Sequence, residues 1–312
     1  MNLSKHCSTI RNIKLIRAWL ARSASGDKTS LARIEYLEQA VGNPKRNVDT
    51  FIHSIDEDHP QFVSALSRGF SILRCFEHGE QFLGNQDIVR RTGLPKPTVS
   101  RLSFTLSALG YLEYSPKLEK YSLGTAVLAL SHAFMKSNDV VTIARPLMRD
   151  LAAYTESAVM LGAADGLRMV LLEVCQGDAT FQLKLEPGAR VPHGSTALGR
   201  ADLAARPLHV FEQRLTELRE DCEPGYWPKI RAGILRARQD YENYGFCFSL
   251  GDWNPDVFAI GVPMVSTDRS RVLTLNCSGR VSVMTQEKLM HDFGPKLVAL
   301  RNTVFELTEG RF

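Results

Sequence analysis

Residues 86–109, QDIVRRTGLPKPTVSRLSFTLSAL, leave the backbone few choices. Gly84 or Asn85 can cap a helix whose first turn holds Asp87, a carboxylate suited to the positive helix start. Ile88 and Val89 supply its buried side, and Arg90 and Arg91 close it where positive charge is favoured. Thr92-Gly93 ends it, because glycine accepts the left-handed conformation of a helix stop. Leu94-Pro95 forces an extended step, and Pro97 suits the first position of a second helix, where a missing N–H costs nothing. In that helix Val99, Leu102, Leu106 and Leu109 recur at helical spacing and are expected to face a core. Lys96, Thr98, Ser100, Arg101, Ser103 and Thr105 lie mostly off that face. Two short helices, a tight turn and a small, polar, basic face are what a helix-turn-helix reader of the DNA major groove requires.

The flanking residues extend the pattern. Residues 111–121, YLEYSPKLEKY, have strand-like ends around a Ser-Pro turn, with Lys117 and Lys120 near the tip. Such a hairpin would be a wing reaching backbone phosphates beside the groove. Upstream, Leu66, Phe70, Leu73 and Phe76 predict a third helix packed beneath the other two, with Arg68 and Arg74 outside. Three helices and a hairpin make a winged helix-turn-helix. The candidate DNA-contacting set is Lys96, Pro97, Thr98, Ser100, Arg101 and Thr105, joined by Lys117 and Lys120. Arg101 can clamp a phosphate or bond a guanine edge with both arms of its guanidinium, and Thr98 and Ser100 can bond phosphates or bases.

Charge follows the same division. The net charge of 312 residues is only +4, so no global field points to nucleic acid. Residues 61–136 carry 9 Lys and Arg against 5 Asp and Glu, whereas residues 137–312 carry 20 against 22. Six scattered cysteines with no CxxC argue against a disulfide framework or a zinc ribbon. Dispersed histidines make a metal site unexpected, and no cofactor is implied. No apolar run has the length of a transmembrane helix, and residues 1–22 lack the apolar centre of a secretory signal. The expectation is a cytoplasmic protein without a membrane partner.

The chain is expected to divide into an extension over residues 1–60, a winged domain over 61–123, a linker helix over 124–138 and a second domain over 139–312. Within the extension, residues 10–20, IRNIKLIRAWL, are a basic amphipathic helix candidate in what reads as a poorly ordered arm. GTAVLALSHAFMK at 124–136 is a strongly apolar helix able to form a dimer seam. A helix over 140–154 follows, with a kink expected near Pro146. From Ser157 the pattern turns to strands: SAVMLGAA and RMVLLEVCQ about an Asp165-Gly166 turn, then FQLKLEPGARV, and later FCFSL, FAIGVPMV and VLTLNCS. Helices are expected at HGSTALGRADLAA, at 208–218, at 227–244 and at 286–307. Strand pairs alternating with helices predict an α+β fold, a curved antiparallel sheet flanked by helices.

The residues Arg68-Gly69 and Leu73, TGLPKPTVSRL at 92–102, LGYL at 109–112 and YSLG at 121–124 continue into TALGRADLA at 196–204, YGFCFSLGD at 244–252 and AIGVPM at 259–264. In this order and spacing, over about residues 62–310, they resemble the IclR family of bacterial transcriptional regulators. The resemblance implies a winged helix-turn-helix followed by a GAF-like α/β domain that binds a small organic effector, commonly an aromatic or small carboxylic acid. It implies a double-stranded DNA operator and self-association into dimers or tetramers through the N-terminal and linker helices. It places the effector near Ala197, Leu198, Ser249, Ala259, Asn276 and Ser278. The chain departs from the family where many relatives carry an acidic residue at or just after position 249: here Ser249-Leu250-Gly251-Asp252-Trp253 stands, and Asp252 and Trp253 are expected to reshape the pocket.

Two rival readings are kept. One is an enzyme fused to a DNA-binding domain. His193, Ser195 and Asp252 would be its triad, but the GxSxG spacing is absent and no catalytic group is assigned. The other is a constitutive DNA-binding regulator whose second domain serves only to dimerise.

Overall fold

The structure is a computed structural model. It describes residues 59–76, 80–137, 139–177 and 185–312. The amphipathic segment at 10–20, most of the 1–60 extension and residues 181–184 of the strand pattern expected in FQLKLEPGARV lie outside the described residues.

The first three helices are α1 (Ser64–Arg74), α2 (Asn85–Thr92) and α3 (Lys96–Ala108). Gly84 caps α2 and Gly93 ends it at φ 69. The Gly84 N–H donates to the Asp87 carboxylate at 3.0 Å. That bond, ahead of any neighbouring charge, draws the Asp87 pKa down. Pro95 precedes α3, so Lys96 takes the first helical position and Pro97 the second, one residue later than expected. The hairpin β1 (Leu112–Ser115) and β2 (Lys120–Leu123) follows, and its Tyr121 bridges back to Leu83. Ile72, Phe76, Leu83, Ile88, Val99, Leu112 and Tyr121 form one small core.

Three expectations for this domain are corrected. Leu66 and Phe70 are 61% and 53% exposed, because α1 buries Gly69 and Ile72 with Cys75 and Phe76 just beyond its end. Leu109 is exposed, while Ser103 is fully buried. At 3.6 residues per turn Ser103 stacks on Val99, and Leu109 falls roughly 100° round from that line at the helix end.

Helix α4 (Thr125–Lys136) buries none of its residues. Helix α5 (Asp139–Thr155) runs through Pro146 without interruption. The strands β3 (Ala158–Asp165), β4 (Arg168–Cys175), β5 (Arg190–Pro192), β6 (Cys247–Leu250), β7 (Val257–Val265) and β8 (Val272–Arg280) form one antiparallel sheet in the order β5-β4-β3-β8-β7-β6. The β3–β4 turn centres on Gly166-Leu167, one residue later than expected, with Gly166 at φ 61. Helices α6 (Ala197–Ala205), α7 (Leu208–Asp221) and α8 (Trp227–Tyr244) lie between β5 and β6 in sequence. The C-terminal segment is a short α9 (Gln286–Lys288), a π turn at Leu289–Phe293 and α10 (Gly294–Leu307), so the single helix expected at 286–307 is interrupted.

Strand alternation gives the sheet two different faces. Val159, Leu161, Ile260, Val262, Leu273, Leu275 and Cys277 pack with α5 and α10 in the main core. The residues between them, including Met160, Ala259, Gly261, Asn276 and Ser278, face the side covered by α6. A Cβ on Gly261 would stand 2.2 Å from the Ala197 carbonyl oxygen, so glycine there is what lets α6 lie directly on β7. Among the described residues no helix is long and apolar enough to cross a membrane, and no group of three His, Cys, Asp or Glu side chains is placed to hold a metal ion.

Candidate functional site

The exposed side of α3 begins with Lys96 and Pro97 and continues through Arg101 and Thr105, with Thr98 and Ser100 half-buried at its edge. Neither Lys96 nor Arg101 is drawn into an ion pair with a described residue. The contrast with α2 is clear: there Arg90 pairs with Asp87 at 2.6 Å, and Arg91 pairs with Glu80 and donates to the Cys75 carbonyl at 2.7 Å. The arginines of α2 thus hold the domain together, whereas Lys96 and Arg101 of α3 remain available. Lys117 lies in the tight turn of the hairpin and Lys120 opens β2, both exposed. The turn needs a left-handed residue at Glu119 (φ 51), and the cross-strand pair of Tyr114 and Tyr121, with ring centres 5.0 Å apart, stiffens its base.

In the second domain the sheet brings together residues far apart in the chain. Ser249 stands opposite Ala259, Ala259 opposite Ser278 and Ser278 opposite Ala158, one row across four strands. Asn276 stands two residues along, opposite Met160 and Gly261. Above this row comes the N-terminus of α6, where Thr196 caps the helix: its hydroxyl accepts from the Gly199 N–H at 3.2 Å and donates to the Pro192 carbonyl at 2.6 Å. The space between is a narrow cavity, with about 30 Å³ of room for water-sized centres inside about 380 Å³ of space that includes open solvent.

Ala197, Leu198, Ser249, Ala259, Asn276 and Ser278 all line this cavity. Met160, Thr196, Val257 and Trp253 complete most of its wall. No described lining residue is charged. The Ser249 hydroxyl is spent on the Ser195 carbonyl at 2.8 Å, but the side chains of Asn276 and Ser278 are buried with no described partner. The cavity therefore offers two uncommitted polar side chains and a helix N-terminus at one end, and an apolar wall elsewhere.

Asp252 is not part of that wall, which corrects the expectation that it shapes the pocket. Its carboxylate accepts from the Arg200 guanidinium at 2.7 Å and lies 3.5 Å from the Lys229 ammonium. Arg200 is almost fully buried and also donates to the Gly194 and Phe248 carbonyls, so it needs that counter-charge. His193 bonds a different carboxylate, Asp202, through Nε2 at 2.9 Å, and Arg206 grips Asp202 at 2.7 Å. Burial works against the Asp202 charge, but the bonds from His193 and Arg206 outweigh it and bring the pKa to about 2. His193 and Ser195 share no hydrogen bond among the described residues, so the imagined triad is not assembled.

Comparison with known proteins decides the family. Residues 65–116 match the IclR helix-turn-helix domain and residues 132–304 the bacterial transcriptional regulator IclR C-terminal domain. The chain belongs to the IclR family. It is 36% identical over 245 residues to the HTH-type transcriptional regulator TsaQ1/TsaQ2 of Comamonas testosteroni, covering 78% of this chain and 87% of that one. An IclR family transcriptional regulator from Brucella abortus, solved as a crystal structure, is 42% identical with a TM-score of 0.74, covering 81% of this chain and 95% of the other. An IclR homolog from Microbacterium hydrocarbonoxydans, solved in complex with 4-hydroxybenzoate, shares the fold at 19% identity and a TM-score of 0.62, covering 78% and 98%. This IclR-family chain is thus a transcriptional regulator, with a helix-turn-helix domain ahead of an IclR effector-type domain.

Several residues around the cavity of this IclR-family protein were not singled out from the sequence, notably Met160, Val191, Thr196 and Val257. A signal for Met160 existed. Alternation along β3 puts Met160 on the opposite face from Val159 and Leu161, and pairing with β8 brings it to Asn276.

Proposed function

We propose that this regulator binds a near-palindromic DNA operator through α3 and the hairpin, and that a small organic acid with a compact apolar body sets its affinity. Residues 61–123 read DNA, the helix within 124–138 links, and residues 139–312 sense. Arg101 and Lys96 face bases and phosphates in the major groove, with Pro97, Thr98, Ser100 and Thr105 beside them, and Lys117 and Lys120 meet phosphates next to it. Two copies associate through the exposed apolar residues of α1 (Leu66, Phe70) and α4 (Leu128, Leu130, Phe134). That spaces two recognition helices about one DNA turn, ~34 Å, apart.

The observation that carries the sensing part is the chemistry of the cavity: Asn276 and Ser278 are buried and unpartnered, and no charged side chain lines the wall. A ligand carboxylate would satisfy both side chains and meet the first N–H groups of α6, while its body packs on Met160, Leu198 and Trp253. The 4-hydroxybenzoate bound by the Microbacterium protein is of this chemical class. A ligand acts on DNA binding only by favouring one protein geometry over another.

The test is a thermal-shift titration of the full-length protein with a panel of benzoates and short aliphatic carboxylates. At least one is expected to raise the melting temperature, and Asn276→Leu to abolish that rise. No shift across the panel would leave the second domain as a dimerising element only, and a shift indifferent to Asn276→Leu would place the ligand outside this cavity.

A further inference from the structure

The exposed face of α3 contains one side chain that charge and hydroxyl chemistry do not account for. Phe104 is 74% exposed, the highest value among the exposed large apolar residues of the described chain. It lies three residues after Arg101 and four after Ser100, so at 3.6 residues per turn it stands one turn further along the same side of the helix. Pro97 lies two turns before it. A single exposed phenylalanine on a surface needs no explanation. One that shares a helix face with an unpaired arginine and follows an unpaired lysine at the helix start has a partner available in the groove those cations suit.

We propose that Phe104 reads thymine, by packing its ring on the C5 methyl in the major groove. The inference rests on the reading of α3 as the DNA-contacting helix. The thymine methyl is the one apolar group on the major-groove edges of the bases, and a phenyl ring takes it up by contact where a hydroxyl or a guanidinium cannot. Arg101 supplies attraction and hydrogen bonding, and Phe104 supplies discrimination one turn along. Being in solvent, Phe104 contributes nothing to the core of Ile72, Ile88 and Val99, so truncating it leaves the fold intact.

The experiment starts from duplexes enriched by the full-length protein from a random-sequence DNA library. Each thymine of the enriched duplex is replaced singly by deoxyuracil, which removes the methyl and nothing else. At one or two positions the unsubstituted protein should bind the uracil duplex about fourfold more weakly, the value of one methyl group moved out of water. Phe104→Ala should bind thymine and uracil duplexes alike at those positions. A flat uracil series, or a uracil penalty that survives in Phe104→Ala, overturns the assignment. A changed sedimentation coefficient in Phe104→Ala with unchanged uracil penalties overturns it too, and assigns the ring to a contact between copies. Arg101→Ala separates the two levels. If it weakens duplex binding while the uracil series is flat, α3 reads DNA and only the Phe104 claim falls. A library that enriches nothing brings down the DNA-reading assignment and this inference with it.

Discussion

The two domains keep their candidate functional residues in opposite ways. On α3 they follow one another within a few turns of one helix, stand in solvent and carry charge that no described residue neutralises. In the cavity they come from β6, β7, β8 and the start of α6, lie buried, and include no charge. The charges of the second domain are there, but they are used on each other: Arg200 with Asp252, Arg206 and His193 with Asp202. A phosphate backbone is met by free cations at a surface, because their hydration is cheap to keep until DNA arrives. A small ligand is met by neutral dipoles in a largely buried pocket, where a free buried charge would be expensive before the ligand comes.

That difference can be broken at several points. The largest expected effect is on the buried network. Asp202→Ala leaves Arg206 and His193 without their carboxylate and should cost about 3–5 kcal/mol of stability in chemical denaturation. The same network sets a pH dependence. Because the folded Asp202 pKa is about 2, below its ordinary 3.8, its contribution of about 2 kcal/mol is present above pH 4 and is lost as the pH falls towards 2. Next comes Arg101→Ala, which should weaken operator binding by about 1–3 kcal/mol in gel shifts at fixed salt, with the melting temperature unchanged. Unchanged affinity would remove α3 from the groove. The smallest effect is expected from Lys117→Ala at the hairpin tip. It should lower affinity evenly across sequences and reduce the salt slope of binding by about one. A sequence-dependent loss would place Lys117 on base edges instead.

The same contrast explains what was legible in the sequence. Helix-turn-helix geometry is local, so Gly84, Asp87, Gly93 and Pro95 announced their caps and breaks to within a residue. The errors there came from side-chain direction. An apolar stripe at Leu66 and Phe70 fits a buried face as well as one awaiting a partner, and only the packing of α1 through Gly69 and Ile72 distinguishes them. In the second domain the strands were readable from alternation, as in LTLNCS, where Leu273, Leu275 and Cys277 alternate with Thr274, Asn276 and Ser278. The cavity itself was not. Ser249 meets Ala259 and Ser278 only through the strand order β8-β7-β6, which no local spacing encodes. Resemblance to the family supplied that long-range set. It could not show that Asp252, three residues past Ser249, would be drawn away by the buried Arg200.

The central claim is that the neutral chamber and the cationic helix act as one device. The direct measurement is operator affinity of the full-length protein with and without the carboxylate that stabilises it, for the unsubstituted protein and for Asn276→Leu. The ligand is expected to change DNA affinity at least fivefold, the lower end of ordinary allosteric coupling. Asn276→Leu should bind DNA normally without ligand but no longer respond. DNA affinity indifferent to every such ligand, or a response that persists in Asn276→Leu, would contradict it.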